Sequence, residues 1–197
     1  DTADSTFVGG SGSTDAIAFD ASNVDVDAGT ISGFETVTVS DANAGTVDMA
    51  AFAGETAISL DADTGGVTLQ NVASGTTITL EDGAATQAVA IDSDDADAAG
   101  NSLTIVLSTA DTTDLDDVTV TDFETVTIDS DVDQTALDLT TSDAEVDTVV
   151  FTGTGSLTFA AGSDVSGAEN ITFTAYSGTF NGALDTTTTT TITLDAD

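Results

Sequence analysis

Short runs of alternating polar and apolar residues recur about every 21 residues along this chain, and that spacing constrains its fold more than any other feature. Thr36-Val37-Thr38-Val39, Thr77-Ile78-Thr79-Leu80 and Thr125-Val126-Thr127-Ile128 show the period-2 pattern of a strand with one buried face. Gly, Asn, Asp and Ser punctuate the intervals, as turns require. The apolar centres Ile17, Val37, Ile58, Ile78, Ile105, Val126, Val149, Ile171 and Ile192 are separated by 20, 21, 20, 27, 21, 23, 22 and 21 residues. A second series lies between them: Val26, Val47, Val67, Val89, Val118, Leu137, Leu157 and Phe180. Both series stretch around Asp92 to Asp117, where one acidic insertion explains both departures.

Two interleaved series imply a coil with at least two strands per turn. Stacked coils give an all-β, right-handed parallel β-solenoid with coils of about 21 residues and rungs about 4.8 Å apart. The expected organisation is a single solenoid segment over residues 1–197 of a larger protein, with an acidic insertion near 92–117. The opening Asp1-Thr2-Ala3-Asp4 reads as the middle of a longer chain. A coarser echo supports a rival. Phe34-Glu35-Thr36 returns as Phe123-Glu124-Thr125, 89 residues later, close to the length of an immunoglobulin-like domain. Two tandem Ig-like β-sandwich domains are therefore the alternative, although no Trp or Pro is present and the shorter period runs through both halves.

Charge supplies the second constraint. The chain has 36 Asp and Glu residues and no Lys, Arg or His, a formal net charge of −36. Such charge opposes compaction, yet 40% of the residues are hydrophobic. No carboxylate has a basic side chain to pair with. Each must be solvated, bonded to backbone N–H groups, or coordinated to a metal. Nucleic-acid binding is excluded because nothing can neutralise phosphates, and attraction to anionic lipid fails for the same reason. No long apolar run suggests direct membrane insertion. Cysteine is absent, so neither disulfides nor zinc–thiolate sites are available.

Calcium suits what remains, since it takes six to eight oxygen ligands from carboxylates, carbonyls and water. Acidic residues follow the strands of the first series, and stacking would align them into a ladder along one edge. The candidates there are Asp41, Asp61, Asp63, Asp82, Asp129, Asp131 and Asp133. The insertion adds Asp92, Asp94, Asp95 and Asp97, followed by Asp114 and Asp116. Its spacing is not that of an EF-hand. The plainer reading of any one of these residues is a turn former or a solvated surface charge. For the repeated Phe-Glu-Thr, the phenylalanines are expected to fill a corner of the core. Glu35 and Glu124 would bond backbone N–H groups or add a metal ligand.

The Phe-Glu-Thr-Val-Thr motif, its Thr/Asp/Ala/Gly surroundings and Gly9-Gly10-Ser11-Gly12-Ser13-Thr14-Asp15-Ala16-Ile17 resemble bacterial S-layer proteins and related repeats-in-toxin (RTX) surface proteins. The RTX nonapeptide is G-G-x-G-x-D-x-U-x. Here one extra residue separates Gly12 from Asp15, and the motif does not recur in tandem. The resemblance implies a calcium-stabilised β-solenoid, type I secretion, an extracellular location at the bacterial cell surface and lattice formation. The expected partners are neighbouring copies of the same protein, with cell-surface polysaccharide reached through another domain.

Catalysis finds little support. No His, Lys, Arg or Cys is present to act as base, nucleophile partner or oxyanion clamp. Carboxylate pairs alone serve glycosidases, but such sites usually carry aromatic sugar platforms. Tyr176 is the single Tyr, and Trp is absent. The expectation is a structural protein rather than an enzyme.

Overall fold

The structure, a computed structural model, describes residues 7–10, 15–20, 31–41, 45–62, 66–81, 88–94, 99–108, 118–141, 146–182, 184–185 and 191–194. Its spine is a nine-stranded sheet in which each strand comes from a successive pass of the chain. In order these are β2 (Ala16–Asp20), β4 (Thr36–Asp41), β7 (Ala57–Ala62), β9 (Thr76–Leu80), β11 (Ser102–Leu107), β13 (Thr125–Ser130), β16 (Thr148–Thr152), β18 (Asn170–Phe173) and β20 (Thr191–Leu194). Every strand pairing among the described residues is parallel. A parallel neighbour needs a crossover, and here each crossover is a full coil of about 22 residues. The protein is therefore a parallel β-solenoid. The Ig-like alternative is overturned, because a sandwich of that kind is built from antiparallel pairs.

A second sheet covers the far side of the coils: β5 (Gly45–Asp48), β8 (Val67–Val72), β10 (Val89–Ser93), β12 (Val118–Thr121) and β15 (Leu139–Thr140). Parallel bridges from Thr140 to Asp164 and from Asp164 to Asp185 carry this line onward. Two three-stranded sheets close the corners. β1 (Phe7–Val8), β3 (Ile31–Ser32) and β6 (Phe52–Ala53) serve the first coils. β14 (Gln134–Leu137), β17 (Leu157–Phe159) and β19 (Phe180–Asn181) serve the last.

Alternation places one apolar column over another. Ile17, Val37, Ile58, Ile78, Ile105, Ile128, Phe151, Phe173 and Leu194 stand in register along the spine. Most of this column is fully buried, and burying such a side chain stabilises by about 1.5–3 kcal/mol. At the C-terminal end the core turns aromatic. Phe151 stacks on Phe173 with ring centroids 5.3 Å apart and meets Phe159 and Phe180 edge-on at 5.7 and 5.4 Å.

The register corrects the sequence-derived series. Ile105 pairs with Ile128, not Val126, so the observed column is two residues out of step from that point. Val118 pairs with Leu139, whereas Leu137 and Leu157 belong to a different sheet. The long intervals run from Ile78 to Ile105 and from Val89 to Val118, 27 and 29 residues. Inside the range 92–117, β11 forms the central strand of the spine.

Candidate cation-binding corners

The chain turns into each spine strand at a tight corner. Gly33, Gly54, Gly75, Gly100 and Asp122 precede successive spine strands with φ of +74°, +88°, +83°, +86° and +63°. Side chains rarely adopt this left-handed region, and Asp tolerates it better than most. Next to these corners, glutamates fasten one coil to another. The Asp15 N–H donates to Glu35 Oε2 at 2.7 Å, and the Phe34 N–H donates to Glu55 Oε1 at 3.0 Å. The Gly100 N–H donates to Glu124 Oε2. In each case the glutamate holds a backbone amide of the preceding coil. The Phe-Glu-Thr motif is thus an inter-coil latch, and Glu55 performs it without the Phe. Phe123 fills the core, whereas Phe34 is only half-buried beside a cleft.

Asn101 is the amide counterpart. It is 3% exposed; its Nδ2 donates to Asp122 O at 2.6 Å and to Ser93 Oγ at 3.1 Å. The Glu124 N–H donates to its Oδ1 at 2.7 Å. This side chain ends the acidic loop in sequence but serves as an internal cap.

At and beyond the C-terminal end of β13, Asp129, Asp131 and Asp133 hold the following coil at a constant offset of 23 residues. Thr152 Oγ1 donates to Asp129 Oδ1 at 2.9 Å. Both the N–H and Oγ1 of Thr154 donate to Asp131 Oδ1 at 3.2 Å, and the Ser156 N–H donates to Asp133 Oδ1 at 2.8 Å. Glycines make this contact possible. A Cβ on Gly153 would lie 2.2 Å from Ser130 O, and one on Gly155 would lie 2.0 Å from Val132 O. Asp-x-Asp-x-Asp therefore lies over Thr-Gly-Thr-Gly-Ser, with carboxylates facing hydroxyls and amides.

The other candidate ligands are distributed differently from a single ladder. Asp41 ends β4 and pairs with Ala62, while Asp61 pairs with Ser40, so these two acids occupy different register positions. Where Leu107 pairs with Ser130, the residues that follow are Ser108 and Asp131, so hydroxyl and acid share that edge. Asp92 lies within β10 on the second sheet, where Thr121 Oγ1 donates to its Oδ1 at 3.1 Å. Asp94 follows that strand and is exposed. Asp63, Asp82, Asp95, Asp97, Asp114 and Asp116 lie outside the described residues. Among the described residues no group of three or more acidic side chains converges to hold a metal ion, and no helix is long and apolar enough to cross a membrane.

Two buried acidic oxygens near the first coils have no hydrogen-bond donor. Glu55 is 6% exposed, and its Oε2 is buried with no hydrogen-bond donor; Asp15 Oδ2 is in the same condition. Glu55 and Glu35 line a cleft of about 320 Å³ together with Gly33, Phe34, Gly54 and Thr56. Sequence reasoning missed Glu55 because Gly54-Glu55-Thr56 lacks the aromatic residue that made the other copies visible. The register between β4 and β7 reveals it. No protein-family model, curated protein or solved structure matches this chain.

Proposed function

We propose that this chain is a calcium-stabilised structural segment of an extracellular, S-layer-like protein of the bacterial cell surface, and that it associates with further copies of itself. The observation that carries the reading is the combination of a continuous parallel spine with a net charge of −36 and no basic side chain. Nine rungs make a rod about 40 Å long. Charge of one sign stacked at that spacing repels itself, and counter-ions relieve the repulsion. Divalent calcium does so at lower concentration than monovalent salt, and extracellular calcium modules bind at about 10⁻⁴–10⁻³ M. The resemblance of the Phe-Glu-Thr-Val-Thr motif and its surroundings to S-layer proteins supports self-association. In this reading the protein is architectural and performs no catalysis, and any polysaccharide contact belongs to another domain.

A second reading is favoured by the Asp129, Asp131 and Asp133 contacts. Those carboxylates are engaged by donors of the next coil, as in an acidic rod solvated by monovalent salt. Light scattering and negative-stain electron microscopy separate the two. Protein stripped with EDTA is brought to millimolar Ca²⁺, with Mg²⁺ and with KCl of equal ionic strength as controls. Ordered sheets or filaments with Ca²⁺ alone support the calcium-built assembly. Dispersed protein under all three conditions refutes self-assembly by calcium and leaves the salt-solvated rod.

A further inference from the structure

The cleft at the corner between β4 and β7 brings together a constrained backbone, a carboxylate with one committed and one unmatched oxygen, and a second acid. Glu55 comes from a stretch with little freedom, Gly54 in the left-handed region before it and β7 directly after it. One carboxylate oxygen is committed to the Phe34 amide at 3.0 Å. The other is buried, has no donor, and has no Lys, Arg or His anywhere in the chain to approach it. Glu35, on the preceding coil, lines the same cleft and is itself held by the Asp15 amide at 2.7 Å. Asp15 adds a second buried oxygen without a donor. Three carboxylates thus stand at the corners of three successive coils, and two of them carry a buried oxygen without a donor, which is costly for a bare anion.

We propose that this corner is a divalent-cation site for calcium, with Glu55 Oε2 as its buried ligand and Glu35 as its exposed one. It deepens the calcium reading above and rests on it. The chemistry matches a hard ion: the polar side chains lining the cleft, Glu35, Glu55 and Thr56, offer oxygen and no nitrogen or sulfur. Two carboxylates supply the charge, and backbone carbonyls and water complete the oxygen shell. Because Glu35 and Glu55 lie on successive coils, the bound ion would fasten β4 to β7 where the glutamate latches already meet. The remaining way to neutralise Glu55 is a proton, and the two alternatives differ in what a neutral amide does.

The test is Ca²⁺ titration of the whole chain by calorimetry, with thermal unfolding followed in parallel, for the wild type, Glu55→Gln, Glu35→Gln and Asp147→Asn. Asp147 is the exposed control. The expected result is that E55Q binds one ion fewer and loses part of the calcium-dependent rise in Tm, while in EDTA it is at least as stable as the wild type. E35Q weakens the same site at least tenfold, and it remains informative if E55Q does not fold. D147N leaves ion binding unchanged. Wild-type stoichiometry and affinity in both E55Q and E35Q would overturn the site while leaving the broader calcium reading intact. A wild-type chain that binds no Ca²⁺ would overturn both.

Discussion

At Asn101 a single buried amide joins a loop, a corner and the following coil. Removing it leaves the Glu124 N–H and the Asp122 carbonyl without their partner in a dry environment. Unmatched buried groups cost about 1–3 kcal/mol each, so Asn101→Ala should lower unfolding free energy by about 3 kcal/mol in denaturant titrations. Asn101→Asp should be worse, since it replaces the donor with another anion. A smaller effect of opposite sign is expected at Asp122, whose φ is +63°. Asp122→Gly should match or exceed the wild type in stability, and Asp122→Ala should fall below the glycine variant by about 1 kcal/mol. Tyr176 provides a spectroscopic signal. Burial raises its phenol above the ordinary 10.0; the hydrogen bond from the Leu157 amide opposes that rise, and the Asp133 charge adds to it. With the folded value above the unfolded one, this group's contribution to stability is fully present below pH 10 and is lost as pH rises through the folded midpoint. Alkaline difference absorbance should therefore give a later phenol midpoint in folded than in urea-unfolded protein. Coincident midpoints would contradict the placement of Tyr176.

At the level of elements, the stacked aromatic rings and the Asp-over-Gly corner anchor the C-terminal coils. Phe151 meets three other phenylalanines, and Phe151→Ala should cost about 3–5 kcal/mol, read as a lower denaturation midpoint. Gly155→Ala should cost about 1–3 kcal/mol or more, because the added methyl meets the Val132 carbonyl and forces the coils apart. These elements also show what the sequence could reveal. Strand identity was legible, since polar–apolar alternation marks a strand wherever it stacks. Register was not. A six-residue strand offers two or three equivalent inward positions, and nothing local distinguishes Val126 from Ile128 as the partner of Ile105. The change of face after β13 was hidden too, because Leu137 and Leu139 lie two residues apart yet serve different sheets. At the candidate site, the expected alternatives for Glu35 and Glu124 included bonds to backbone amides, which the structure contains. The Asp129, Asp131 and Asp133 contacts were illegible because their partners stand 23 residues away and hydroxyl side chains abound.

For the whole molecule, the dominant fact is a net charge of −36 on a rod whose core columns are apolar. The core columns favour the solenoid at any ionic strength, and repulsion between coils opposes it. Ions shift that balance according to how tightly they bind the folded form. Screening alone would treat Mg²⁺ and Ca²⁺ nearly alike, whereas specific sites would not. The most direct measurement is thermal unfolding followed by circular dichroism at fixed ionic strength, in EDTA, in millimolar Mg²⁺ and in millimolar Ca²⁺. The account predicts a β-rich fold whose Tm rises with Ca²⁺ concentration well beyond its rise with Mg²⁺. Identical melting curves in EDTA and Ca²⁺ would contradict the claim that calcium belongs to the native structure.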